Sequence, residues 1–304
     1  MFPIIPANSA ADSGNQEGIF GYGSTTGGTK LATTNLVSDV GVVSSDVAGV
    51  GTARYGLGAT EYGGDKGIFG YGNSGSYTAA TNLVSNTGVV SSDVAGVGTS
   101  RAHAMACEYG GDKGIFAYGS VYPTDYSMSN LVSNTGVVSS DVAGVGTTRD
   151  AIGACEYGDD KGIFAYGRGV DPFWKSMSNL VSNTGVISSD VTGVGTARYN
   201  LGACGYDGDK GIMAYGSDGD SSYTSVSNLI SNAGVVSTDV AGVGTSRENA
   251  MACEYGGDLG IFGFGNVAGP YTAVTNLVSD AGVISSDVAG VGTVRNSCSA
   301  CSFN

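Results

Sequence analysis

The chain has 304 residues, 53 of them glycine and only 5 proline, and a formal net charge of −14. That length allows one or two domains, and apolar and aromatic residues spread through the whole sequence argue against disorder. The acidic balance makes phosphate backbones and anionic lipid poor partners, and no stretch of about 20 apolar residues offers a membrane span, so neither nucleic acid nor membrane insertion is expected.

In chain order, residues 1–16 (MFPIIPANSAADSGNQ) come first and stand outside everything that follows. They lack a basic start and a long apolar core, so they do not read as a secretion signal, and synthesis in a cytoplasm is expected. Phe2, Ile4 and Ile5, set among prolines, suit an extended docking arm that adds to a neighbouring subunit; packing on its own chain is the simpler use of the same segment.

From residue 17 a unit of about 48 residues is written six times. A G-I-F-x-Y-G phrase, with variants, starts at Gly18, Gly67, Gly114, Gly162, Gly211 and Gly260, and an N-L-[VI]-S phrase at Asn35, Asn82, Asn130, Asn179, Asn228 and Asn276. A fixed period in this range marks a repeat architecture. In one copy, 81–85 and 88–92 form a hairpin-like pair, 101–109 is a third strand and 114–118 a fourth, with turn residues between them. No segment has helical apolar spacing. The expected fold is all-β: a six-bladed β-propeller of four-stranded antiparallel blades over 17–304. The closing segment 295–303 (RNSCSACSF) matches the first strand of the unit and would latch the ring, although 10–14 is a weaker match to the same strand.

Residues common to all copies are expected to serve the scaffold. Arg54, Arg101, Arg149, Arg198, Arg247 and Arg295 end the G-V-G-T-x-R phrase, and Asp46, Asp93, Asp141, Asp190, Asp239 and Asp287 recur in S-[ST]-D-V. A charge repeated in every unit needs a partner repeated in every unit, so a structural Arg–Asp pairing is expected. Five cysteines share one repeat position, which Thr60 fills in another copy; small buried side chains are expected rather than disulfides or zinc ligands, with Cys298 a free thiol. Glu61, Glu108, Glu156 and Glu254 fall on the innermost strand, with Gly205 and Ser302 in the remaining copies; a solvated channel wall is the plainer reading and a cation ring the sharper one. No cofactor and no metal are expected.

The pattern R-x₄-A-[CT]-x-Y-x₄-I-F-x-Y-G resembles the kelch-type β-propeller repeat over about residues 17–304. It departs from that repeat in lacking the double glycine after the second strand and the later tryptophan; Trp174 is the only one. The near-identical glycine-rich phrases also resemble propeller repeat proteins of tailed bacteriophages. That resemblance implies a virion protein, such as a tail fibre, spike or decoration propeller, that joins other virion proteins through the arm and forms a homo-oligomer or larger assembly.

Function is expected where the copies differ. The variable loops 24–32, 73–80, 120–127, 168–176, 217–225 and 266–273 should emerge on one face, joined by the variable start of the following strand. They carry Tyr77, Tyr122, Tyr126, Phe173, Trp174, Tyr223 and Tyr271, with the acids Asp125, Asp171, Asp218 and Asp220 among them. Aromatic faces beside carboxylates suit a host glycan or a protein surface. The chain has one histidine, His103, and no defensible nucleophile arrangement, so it is read as non-enzymatic. A soluble lectin-like or protein-binding propeller is the alternative, and a glycosidase using Asp125 and Asp171 a more distant one.

Overall fold

The computed structural model describes residues 16–219 and 222–303. The arm residues Phe2, Ile4 and Ile5, and the loop residue Asp220, lie outside the described residues. Among the described residues every regular element is a β-strand, arranged in eight small antiparallel sheets with no helix.

Six sheets share one plan. In the second, Gly58–Tyr62 pairs with Lys66–Gly70, which pairs with Thr81–Val84. The first sheet draws from both ends of the chain: Glu17–Gly21 pairs with Thr34–Val37 on one side and with Ser299–Phe303 on the other. The two remaining sheets are short hairpins in the variable loops, Ser120–Val121 with Thr124–Asp125 and Ser217–Gly219 with Ser222–Tyr223. The inner strands Ser299–Phe303, Gly58–Tyr62, Met105–Tyr109, Gly153–Tyr157, Gly202–Tyr206 and Met251–Tyr255 each touch the next in this order, and the last touches the first.

The middle strands are buried on both faces, so they read as continuous apolar runs rather than alternating ones; Ile68 and Phe69 are both fully buried. Each apolar cluster draws on two neighbouring sheets, as where Tyr118 of the third meets Phe164 of the fourth edge-on at 5.4 Å. The middle strand ends in a Tyr-Gly or Phe-Gly step in which the aromatic residue adopts positive φ, from 61° at Tyr118 to 66° at Tyr215. A bulky residue in this region is strained, so its recurrence in all six copies implies surroundings that hold it there.

The sheets have three strands, not the four expected. The fourth segment makes two isolated bridges per copy, such as Thr81↔Val94 and Val84↔Val90. Between them the backbone bond from Ser91 N to Leu83 O at 2.8 Å remains, and side chains take other places of the ladder. Leu83 N donates to Ser91 Oγ at 2.9 Å, and Ser91 O accepts from Asn82 Nδ2 at 3.0 Å, so polar groups that would zip two strands are diverted.

All six cysteines are free and buried. Five of them, and Thr60, face the first glycine of the middle strand of the next sheet. A Cβ on Gly67 would lie 2.5 Å from Cys301 Sγ, which explains why that glycine recurs. Gly67→Ala is expected to cost about 1–3 kcal/mol of stability by overpacking, measured by chemical denaturation. Cys301→Ala in the same chain should recover part of that loss, so the double variant is less destabilised than the two single costs added.

Candidate functional site

The uniform residues settle between sheets. Each repeat arginine is fully buried. Arg149 Nε donates to Tyr166 O at 3.0 Å, Nη1 to Thr147 O at 3.1 Å and Nη2 to Asn179 Oδ1 at 2.6 Å, while its guanidinium lies 4.2 Å over the Tyr118 ring of the preceding sheet. Asp190 stands 3.9 Å away, and the matching approaches are 3.7 Å for Arg54–Asp93 and 3.9 Å for Arg295–Asp46. The aspartates are occupied mainly by threonine: Asp93 accepts from the backbone N and Oγ1 of Thr52, and Asp141, Asp190, Asp239, Asp287 and Asp46 are held alike by Thr99, Thr147, Thr196, Thr245 and Thr293. Burial opposes ionisation of Asp46, but the bonds from Thr293 and Asn35 hold its carboxyl below the usual range. Arg101 and Arg247 carry the same set. Arg198 keeps the bonds to Tyr215 O and Thr196 O but turns Nη2 to Met213 O at 3.4 Å, leaving Asn228 Oδ1 unpaired among the described residues. Each of the three stacks on the aromatic ring before it.

The inner strands enclose a small cavity of about 50 Å³ at the centre. Carboxylate oxygens of Glu61, Glu108 and Glu156 lie within 4.8 Å of one another, and Glu254 reaches the same group. Gly205 makes the room: a Cβ there would sit 2.6 Å from Glu156 Oε1 and nearer still to Glu254. Ser302 N donates to Glu61 Oε1 at 3.2 Å. Burial and the neighbouring Glu156 push Glu61 up to about 8, and push Glu108 and Glu254 well above the ordinary carboxyl range. Burial raises Glu108, and with carboxylate oxygens this close each ionised neighbour disfavours the next and raises it further. The cluster is therefore a crowded wall of raised carboxyl groups rather than a fully solvated one.

The variable loops form a cleft of about 370 Å³ lined by residues of the second, third and fourth copies. Four of the expected binding residues meet there: Tyr77, Tyr122, Asp125 and Phe173. Tyr122 and Phe173 present open rings, 85% and 63% exposed. Tyr77 braces the first of them, its hydroxyl accepting from Tyr122 N at 3.0 Å. Burial and then Asp150 raise the Asp125 carboxyl. His103 also lines the cleft; its ring packs edge-on to Tyr55, and burial lowers its pKa, keeping it neutral.

Two lining residues escaped the sequence reading. Asp150 is 1% exposed and takes Arg168 Nε at 3.1 Å, Arg168 Nη2 at 2.9 Å and Ser120 Oγ at 2.8 Å. Arg168 keeps 47% of its side chain exposed and lies 5.5 Å over the Tyr199 ring. The signal was available: Asp150 and Arg168 are bridged, and no other copy carries opposite charges at those two positions. The equivalent pair in the sixth copy is Glu248 with Asn266, joined at 3.2 Å.

The other expected residues lie elsewhere. Asp171 is exposed and does not line the cleft, so it does not face Asp125 there. Trp174 bridges Arg168 through the backbone, and Tyr126 bonds Gly119 and Arg149 through the backbone. Asp218 is exposed, while the Tyr223 hydroxyl accepts from Asn266 and Tyr271 pairs with the same residue in its strand.

No protein-family model and no curated protein matches the sequence. Among solved structures the chain is similar to YjhT, with a TM-score of 0.61 at 10% identity over 84% of this chain and 90% of that one. At that identity the likeness is one of fold, compatible with a propeller-like arrangement of small antiparallel sheets.

The carboxyl cluster gives stability a sign with pH. A carboxyl whose pKa is raised by folding contributes stability present below its unfolded value and lost as pH rises through its folded value. The melting temperature is therefore expected to fall between about pH 4.5 and pH 8, the range bounded by the ordinary and raised values for Glu61. Glu61→Gln should flatten that fall and raise the melting temperature at pH 8.5, read by thermal scans across pH.

Proposed function

We propose that the chain closes into a six-bladed β-propeller and acts as a non-enzymatic binding protein of a virion, presenting its variable loops to a receptor or a neighbouring subunit. Closure is supported by the pairing of Glu17–Gly21 with Ser299–Phe303 and by the unbroken ring order of inner-strand contacts. Contacts between the chain's two ends repeat those between successive copies: Arg295 Nη2 donates to Asn35 Oδ1 at 2.7 Å and Thr293 Oγ1 to Asp46 Oδ2 at 2.5 Å.

The observation that carries the binding role is the cleft itself. It forms from residues that differ between copies, on sheets whose buried residues barely differ. Open aromatic rings beside a half-exposed Arg168 held by the buried Asp150 give a rigid surface, and exposed Tyr122 and Phe173 leave apolar area for a partner to cover. The virion setting follows from the resemblance of the glycine-rich repeats to bacteriophage propellers, and the apolar residues Phe2, Ile4 and Ile5 supply an attachment segment.

Negative-stain imaging of the full chain beside a chain lacking residues 1–16 tests this reading. Six-lobed rings from both, with ordered assemblies only from the full chain, are the expected result. Rings that stay monomeric with the arm present would remove the docking role, and particles without six lobes would remove the closed propeller.

A further inference from the structure

We infer that the cleft between the second, third and fourth copies binds a neutral saccharide, one or two sugar units long, through a pair of adjacent hydroxyls. The inference rests on the binding role proposed for the variable face and names the chemistry of its ligand.

The lining sets three conditions. First, size: about 370 Å³ lies at the lower end of small-molecule sites and is too small for a folded partner's edge. Second, charge. The cleft holds one guanidinium, Arg168, against two carboxyl groups, Asp125 and Asp150, and His103 is neutral. A carboxylate or phosphate ligand would meet that acidic excess on a chain of net charge −14. An ammonium or guanidinium ligand would meet Arg168, which is half-exposed and fixed in place by two bonds to Asp150. Third, hydrogen-bonding sense. Arg168 only donates, and an ionised Asp125 only accepts. The two line the same cleft. A hydroxyl does both, so neighbouring hydroxyls satisfy the pair without adding charge.

The walls supply the remaining affinity. Tyr122 and Phe173 are flat, exposed rings, and a pyranose has an apolar face of C–H groups that covers such a ring while its hydroxyls point to polar groups. Tyr77 pins the loop that carries Tyr122, which lowers the ordering cost of binding. Asp150 has its acceptors filled by Arg168 and Ser120, so it holds the donor in position rather than contacting the ligand.

The test is titration calorimetry of the full chain with methyl glycosides of glucose, galactose, mannose and N-acetylglucosamine, using methyl glucuronide and a lysine tripeptide as charged probes. At least one neutral glycoside should bind more tightly than both charged probes. Its affinity should fall tenfold or more in Phe173→Ala and in Asp125→Asn, and stay unchanged in Lys210→Ala on a turn remote from the cleft. Phe173 is 63% exposed, so its truncation leaves the fold intact, which matching thermal scans verify. Tighter binding of a charged probe, absence of binding by any neutral glycoside, or binding that survives both substitutions would overturn the inference. The imaging readout is independent of these titrations: ordered six-lobed assemblies without glycoside binding would leave the proposed role standing with a protein as its partner.

Discussion

Six buried guanidinium groups hold this molecule together, and much of the repeat follows from the need to satisfy them. Isolated burial of a charge is prohibitive, so buried donors need acceptors. Five of the six arginines bond through Nε, Nη1 and Nη2. Arg295 instead bonds through Nη2 to Asn35 and leaves Nε and Nη1 without a hydrogen-bond partner among the described residues, with Asp46 3.9 Å away. Arg149 finds three, from Tyr166, Thr147 and Asn179, and rests on the Tyr118 ring. Those partners come from both sides of the gap between two sheets, so the arginine couples neighbours rather than stabilising its own strand. The left-handed Tyr-Gly step becomes intelligible on this ground. It places one tyrosine's ring beneath the arginine of one gap and its carbonyl in front of the arginine of the gap before. The Tyr22 hydroxyl, buried and pushed up to about 12, stays neutral and donates to Val50 O.

The asparagine of the N-L-[VI]-S phrase is the second half of the same device. Asn82 accepts from Arg54 and donates to Ser91 O and to Asp93, which in turn clasps Thr52 of the preceding copy. Diverting these groups to side-chain bonds prevents the fourth segment from zipping into a full strand. Four phrases of the repeat are thus one network, and a scaffold fixed this way leaves the loops beyond the middle strand free to vary. The cleft arises where variation placed Asp150 opposite Arg168 and set exposed rings on the two flanking loops.

The period, the strand positions and the burial of the repeat arginines and cysteines were legible because identical residues recurring at a fixed spacing have identical surroundings. The fourth strand was misread because Val90 and Val94 have the right pattern, while the competing bonds come from Asn82 and Ser91, which pattern alone does not weigh. The expected Arg–Asp pairing is present only as a long approach of 3.7 Å for Arg54–Asp93, because carbonyl groups and asparagine take the donors. Gly205 read as a gap in an acidic ring; it is the space that the Glu156 and Glu254 side chains occupy. In the variable loops, aromatic content pointed to the loops that line the cleft. Which residues converge depends on contacts about one repeat apart, such as Tyr77 with Tyr122, and no local rule gives those.

The most direct test of the arginine network is denaturant unfolding of Arg149→Met and Arg149→Lys beside the unsubstituted chain. Methionine removes every donor, and lysine keeps the charge but cannot bond Tyr166 O, Thr147 O and Asn179 Oδ1 at once while covering the Tyr118 ring. Both variants should lose about 3–5 kcal/mol, the cost of breaking a buried, hydrogen-bonded charged group. A loss below about 1 kcal/mol in the methionine variant would contradict the account and assign the coupling of the sheets to apolar packing alone.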